Sequence, residues 1–340
     1  KLIVCPSEAN AKQAFEEYRF LDTNTWFYPA KDFLFYQADI RSKELVKERM
    51  EVIRALLEED SIAVVTSFDG LLDALLPLEE IRKKVFTIQP GDVFEFEKLI
   101  QMLSSLGYDR EVQVEGIGQF AVRGGIIDIF PLTENAPVRI EMWGDEVDSV
   151  RSFDLESQRS IENLETFTVY PAWEFAKEDT ERVSFLNYFE KEKSLLFLDE
   201  PARLLENGEA VEEEFLTAQA NRMESGYEVT DAEAILFHTK DIVMQMQGYA
   251  GVCFTTLETK CRDFHVKNVF SIQAKSMNPY NSSFDILTQD LKKLKRNKNK
   301  VVLLSGSRTR AKRLAEDLRD YDLSSFYSED MDREVKPGEI

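Results

Sequence analysis

The chain of 340 residues contains no Gly-Lys dipeptide. A phosphate-cradling loop of the G-x-x-x-x-G-K-[ST] kind is therefore missing from it. Histidine is nearly missing too, with His238 and His265 the two copies, and Cys5, Cys253 and Cys261 form no C-x-x-C pair. Those two shortages exclude the common zinc patterns and leave reduced thiols of a cytoplasmic protein as the simplest reading. No apolar run approaches the ~20 residues that span a bilayer, so no membrane segment is expected. The opening "KLIVCPSEAN" has neither an initiator Met nor a signal-peptide layout. It reads as a strand entered midway, and the sequence is expected to be part of a longer chain.

Positive charge is also in short supply: 42 Lys and Arg stand against 63 Asp and Glu, a formal net charge of −21. Phosphate contact needs clustered cations, so a dedicated DNA-binding surface is not expected. The one basic run, "KKLKRNKNK" at 292–300, reads as a solvated linker. What the chain has is an ordinary globular composition, 43% hydrophobic and 31% charged, enough for two or three domains.

Apolar runs and helical periodicities alternate at the start. "LIVC" (2–5), "TWFYP" (25–29) and "IAVVTS" (62–67) read as buried strands. Ser7 caps a first helix, and Leu45, Met50, Ile53 and Leu57 mark a second. Continuous apolar strands separated by helices imply a parallel sheet covered on both faces. "FEFEKLIQMLSSLGY" is an amphipathic helix that Gly107 stops. From 112 to 170 the period becomes two, an antiparallel meander packed on that helix. After Pro171 buried strands return at 195–200, 252–257 and 269–274, and "VVLLSGSRTRAKRLAEDLRDY" (301–321) begins a separate β-α unit. The fold class is therefore α/β: a parallel-sheet domain interrupted by an inserted α+β domain, followed by a small separate α/β unit. The expected divisions are 1–84, 85–169, 170–280, a linker at 281–300, and an incomplete unit at 301–340.

The meander has a core face and a second face that the core does not need. With a two-residue type I′ turn at Gly124-Gly125, Phe120, Val122, Ile127 and Ile129 point inward. Arg123, Ile126 and Asp128 point outward. A second turn at Gly144-Asp145 sends Ile140, Met142 and Val147 inward and Arg139, Glu141, Trp143, Glu146 and Asp148 outward. Arg and Trp are the residue types enriched at protein–protein hot spots. Arg123, Arg139 and Trp143 are thus candidate protein-binding residues, with Ile126, Asp128 and Glu141 flanking them. The competing reading has Trp143 covering a sheet edge and the arginines paired with Glu141 and Asp148. DNA fits this face poorly, since residues 112–171 hold four Arg and no Lys against eleven Asp and Glu.

Two stretches mimic nucleotide motifs. "LLFLDEP" (195–201) has the shape of a Walker B strand, but no phosphate loop accompanies it. "GIGQFAVRGG" (116–125) lies in a strand pattern rather than at a strand-to-helix turn. No catalytic, cofactor-binding or metal-ligating set is singled out.

"GQFAVRGGIIDIFP" (118–131), followed by "VRIEMWGDEVDSVRSFDLESQRS" (138–160), strongly resembles the N-terminal UvrB-homology module of the bacterial transcription-repair coupling factor (Mfd) family. "YPAKDFLFYQADIRSKELVKERM" (28–50) and "YPAWEF" (170–175) fit the same family. The resemblance is specific over 26–175 and looser beyond. It implies two halves of a helicase-like α/β domain flanking an inserted domain that binds UvrA, the protein that begins nucleotide-excision repair. The family's contacting arginines fall on Arg123 and Arg139, and its contacting aromatic falls on Trp143, where Phe is common. In the family the ATP-driven DNA translocase and the RNA-polymerase-binding domain lie elsewhere in a longer chain, so this chain is expected to be a non-catalytic, monomeric, cytoplasmic bacterial recruitment module without cofactors. The alternatives are a helicase-type nucleotide hydrolase fragment and a UvrB-like damaged-DNA-binding module; the aromatic hairpin that UvrB inserts into DNA has no visible counterpart here. Calorimetry with ATP is expected to show no stoichiometric binding. A binding signal abolished by Asp199→Ala would instead make "LLFLDEP" a working nucleotide strand.

Overall fold

The computed structural model describes residues 1–31, 43–173, 180–227, 232, 235–257, 263–277, 279–280, 283–330 and 333–340. The apolar runs of the first part form β1 (Leu2–Cys5), β2 (Thr25–Tyr28) and β3 (Ala63–Ser67), with α1 (Glu8–Tyr18), α2 (Lys43–Glu58) and α3 (Leu78–Arg82) around them. Ser7 starts α1 as its N-cap, its side chain accepting from the Asn10 amide at 3.3 Å. Next come β4 (Phe86–Ile88), α4 (Phe96–Ser105), β5 (Asp109–Glu111), β6 (Gln119–Arg123), β7 (Ile126–Phe130), β8 (Val138–Trp143), β9 (Glu146–Phe153), β10 (Ser160–Asn163) and β11 (Phe167–Val169). The chain then runs through β12 (Leu195–Asp199), α5 (Pro201–Glu224), α6 (Thr239–Met246) and β13 (Ala250–Phe254), and ends with α7 (Phe284–Arg296) and α8 (Arg308–Arg319). It divides into two units, Lys1–Lys267 and Asn268–Ile340.

In the first unit β1 pairs in parallel with β3 on one side and β12 on the other, giving the order β13-β12-β1-β3-β2. Strands from before and after the meander thus share one sheet. Leu2, Val4, Val64, Leu196 and Leu198 are buried within it, each stabilising by ~1.5–3 kcal/mol. β4 and β11 pair antiparallel, with Phe86 opposite Val169, so the chain between them leaves and returns through one two-stranded neck. That intervening chain forms a second sheet, β10-β9-β8-β7-β6-β5, with Leu99, Ile100 and Leu103 of α4 in its core. Gly107 ends α4 at φ +88°, and a Cβ there would lie 2.3 Å from the Trp173 ring, so the position tolerates glycine alone.

Several details depart from the sequence reading. β5 pairs with β6 in parallel, so the meander is antiparallel only from β6 onward. β13 is an edge strand whose Val252 and Phe254 stay exposed, because among the described residues it has one neighbour and nothing beyond it. Residues 269–274 form no strand, and Val269, Phe270 and Ile272 are exposed. The basic run is not extended linker from its start: Lys292–Arg296 close α7, whose Leu291 joins Leu318, Leu323 and Ile340 in the small core of the second unit. Val301 and Leu303 pack on that core, yet 301–304 pairs with no strand among the described residues.

Arg49 and Asp69, both beside the parallel sheet of the first unit, escape the hydrophobic pattern. Arg49 of α2 is fully buried, binds Asp73 at 2.7 Å and donates to the Tyr28 hydroxyl, tying α2 to the segment after β3. Asp69 lies in a 3₁₀ turn at the end of β3, and its Oδ1 is buried without a hydrogen-bond partner. Burial, aided by Glu8, pushes its carboxyl up to about 6. A carboxyl whose folded pKa is raised favours the folded state when protonated, so its charged form destabilises above that pKa. Asp69→Asn should therefore raise stability near pH 7.5 by up to ~3 kcal/mol. The advantage over the unmodified chain should shrink below pH 6 and vanish near pH 4, as read by denaturant titrations of both proteins.

Candidate functional site

The outer face of the six-stranded sheet is set by two hairpins. In the first, Arg123 pairs with Ile126, Val122 with Ile127, Ala121 with Asp128 and Phe120 with Ile129. Phe120, Ile127 and Ile129 are fully buried, as the alternation requires. Gly124 is left-handed at φ +60° and Gly125 is not, the pattern of a type II′ turn rather than the I′ turn expected. Gly125 is needed for another reason: a Cβ there would meet the Met142 carbonyl oxygen at 2.7 Å. The Met142 amide donates to the Gly125 carbonyl at 2.7 Å, so the turn sits tight against β8.

The second hairpin pairs Trp143 with Glu146 and Met142 with Val147, and then shifts register, so that Glu141 faces Ser149 and Arg139 faces Arg151. Asp148 is the extra residue of this bulge. The bulge changes the parity of β9, which puts both Val147 and Val150 in the core and brings Ser149 and Arg151 onto the outer face. Three rows result on that face. One holds Ala121, Asp128, Arg139 and Arg151; the next holds Arg123, Ile126, Glu141 and Ser149; the last holds Trp143 and Glu146.

Asp128 organises the first two rows. Its side chain is 3% exposed and accepts from Arg123 Nη2 at 2.7 Å and from Arg139 Nε and Nη2 at 2.6 and 2.9 Å. Arg139 is itself 12% exposed. Its guanidinium lies 4.4 Å from the centre of the buried Phe153 ring and donates to the Gln158 side chain at 3.0 Å. The bonds to Asp128 hold the Arg139 pKa above its ordinary value against the opposing effect of burial. Gln158 is held at φ +59° by a turn in which Asp154 accepts from the Ser157 amide and hydroxyl at 2.8 and 2.6 Å. The "DLESQRS" stretch thus has a local task, giving the Arg139 guanidinium a second acceptor beside Asp128. Glu141 accepts from Ser149 at 3.0 Å and from Arg151.

The candidate residues consequently divide. Arg123, with its side chain 48% exposed, and Trp143, 84% exposed, are open to a partner. Arg139 and Asp128 are mostly buried, and Ile126 and Glu141 are half-buried. Arg123 and Arg139 pair with Asp128 rather than with Glu141 and Asp148, and Trp143 stands open to solvent. Gln158 joins the Asp128 network through Arg139, and Arg151 forms a separate pair with Glu141 beside it; an unbroken alternation along the strands reveals neither. Three cations meet two carboxylates in these two rows, within a segment whose net charge is −7.

Residues 86–175, the two-stranded neck and the sheet above it, match the UvrB interaction domain family. The transcription-repair-coupling factor of Bacillus subtilis (strain 168) is 26% identical over 361 residues, which cover 89% of this chain and 30% of that protein. That of Staphylococcus aureus (strain Mu50 / ATCC 700699) is 34% identical over 158 residues, 46% of this chain and 13% of that protein. That of Staphylococcus haemolyticus (strain JCSC1435) is 36% identical over 152 residues, 45% of this chain and 13% of that protein. The chain spans less than a third of the length of these relatives. It resembles the coupling factors over most of its own length and the UvrB interaction domain family over 86–175.

Removing Arg139 strips the buried Asp128 of its bidentate partner, which should cost ~3 kcal/mol, the low end for breaking a buried pair because Arg123 remains. Removing the half-exposed Arg123 should cost below ~1 kcal/mol. Denaturant midpoints of Arg139→Ala and Arg123→Ala measure the contrast, and equal losses would contradict the division between a buried and an open arginine.

Proposed function

We propose that this chain recruits UvrA, acting as a non-catalytic protein-binding module of transcription-coupled nucleotide-excision repair in the bacterial cytoplasm. The observation that carries the reading is a coincidence of place. The segment that matches the UvrB interaction domain family is the one whose sheet presents Arg123 and Trp143 on an outer face anchored by a buried carboxylate. Arg123 offers a planar donor fork to a carboxylate of the partner. Trp143 offers a large apolar surface with one donor. Arg139 serves as a positioning residue: it holds Asp128, and Asp128 holds Arg123. The DNA translocation and RNA-polymerase contact of whole coupling factors would then belong to segments outside this chain.

The nucleotide-hydrolase alternative draws less support. The C-terminal ends of the parallel strands, where α/β sheets place ligands, carry Asp69 and Asp199. Burial raises both carboxyls, with Glu200 adding to Asp199. Carboxylates at these strand ends disfavour an anionic phosphate there.

Titration of the chain with purified UvrA tests the proposal. Truncation of a hot-spot residue costs ~2 kcal/mol or more, about 30-fold in Kd. Arg123→Ala and Trp143→Ala should each weaken binding by that order while leaving the thermal midpoint within a few degrees. Unchanged affinity in both folded variants would overturn the reading.

A further inference from the structure

We infer that Val93 belongs to the same docking surface, forming with Trp143 an apolar shelf at the end of the sheet. The inference rests on the recruitment reading and adds to it a contact residue outside the two hairpins. Val93 lies in the loop before α4 and pairs antiparallel with Glu146, just beyond the strands of the sheet. The pair is framed by two backbone bonds of 2.8 Å, from the Phe94 amide to the Asp145 carbonyl and from the Val147 amide to the Asp92 carbonyl. That is the non-hydrogen-bonded geometry in which facing side chains lie closest, on one side of the sheet. Glu146 in turn pairs with Trp143. The last row of the outer face therefore reads Trp143, Glu146, Val93.

The loop is anchored on both sides of Val93. The Gly91 amide donates to the Val147 carbonyl at 2.8 Å, the Phe96 amide reaches the Asp145 carboxylate at 3.2 Å, and Phe94 packs against the sheet core. Held this way, Val93 is 75% exposed beside a Trp that is 84% exposed. A single exposed valine needs no explanation, but here two large exposed apolar side chains occupy one row of the outer face, on either side of Glu146. Among the described residues of 86–175 the other exposed large hydrophobics are Val112 and Ile161, and both lie at the far edges, next to β5 and in β10. The shelf commits the partner's chemistry: an apolar side chain to cover Trp143 and Val93, a cation for Glu146 between them, and a carboxylate for Arg123.

The test is titration of the full chain with purified UvrA. Val93→Glu should weaken binding roughly tenfold or more and Val93→Ala by a smaller factor, both with unchanged thermal midpoints. Val112→Glu, which adds the same charge at a position 90% exposed on the other edge, should bind like the unmodified chain. If Val93→Glu binds normally while Trp143→Ala is weakened, the shelf is wrong and the recruitment face stands. Equal losses in Val93→Glu and Val112→Glu would mean that added negative charge alone is read, which also overturns the shelf. If Arg123→Ala and Trp143→Ala bind normally as well, it is the recruitment reading that fails, and the shelf with it.

Discussion

One carboxylate, Asp128, decides what the outer face can do. Placed in the middle of β7 and shut away from solvent, it would be costly unpaired, and it is paired twice over by Arg123 and Arg139. Because β6, β7 and β8 each contribute one of the three residues, the ion network also fixes the relative positions of the strands that carry it. The consequence is a division of labour. Arg139 is drawn inward by Asp128, Phe153 and Gln158, and Arg123 is left at the rim, attached through Nη2. A pre-positioned guanidinium loses less rotamer entropy on docking than a free one would.

The rest of the inserted domain supports that arrangement. The type II′ turn at Gly124-Gly125 and the bulge at Asp148 both act at the end of the sheet where Trp143 projects. The turn tightens β6–β7 against β8, and the bulge lets Val147 and Val150 both reach the core. The two-stranded neck of β4 and β11 carries the domain on a parallel sheet whose own strands come from both sides of the insertion. Beside that sheet the buried Arg49–Asp73 pair ties α2 to the segment after β3.

Much of this was legible in the residues. Strict alternation from Phe120 to Ile129, punctuated by two glycines, specified the first hairpin pair by pair, because a one-residue slip would have turned every apolar side chain outward. The buried runs at β1, β3 and β12 announced a parallel sheet. Other features could not be read. A bulge costs one residue and leaves no compositional mark, so Arg151 was assigned to neither face. The burial of Arg139 depends on a turn 19 residues away in sequence, at Gln158. The run at 269–274 has the composition of a buried strand, yet burial is decided by whether a neighbouring layer exists, and a single segment does not carry that information. The resemblance pointed to Arg123, Arg139 and Trp143 together, and the geometry separates a mostly buried arginine from an open arginine and an open tryptophan.

The central claim is that Asp128 orients Arg123 for a partner rather than competing with the partner for it. The direct measurement is the affinity of Asp128→Asn for purified UvrA, taken below the denaturation midpoint of the variant so that the folded fraction is known. The account predicts weaker binding of the folded chain, because the amide is a poorer acceptor for two guanidinium groups and Arg123 loses its fixed direction. Unchanged or tighter binding by the folded variant would show that Arg123 needs no such support, and would contradict the account.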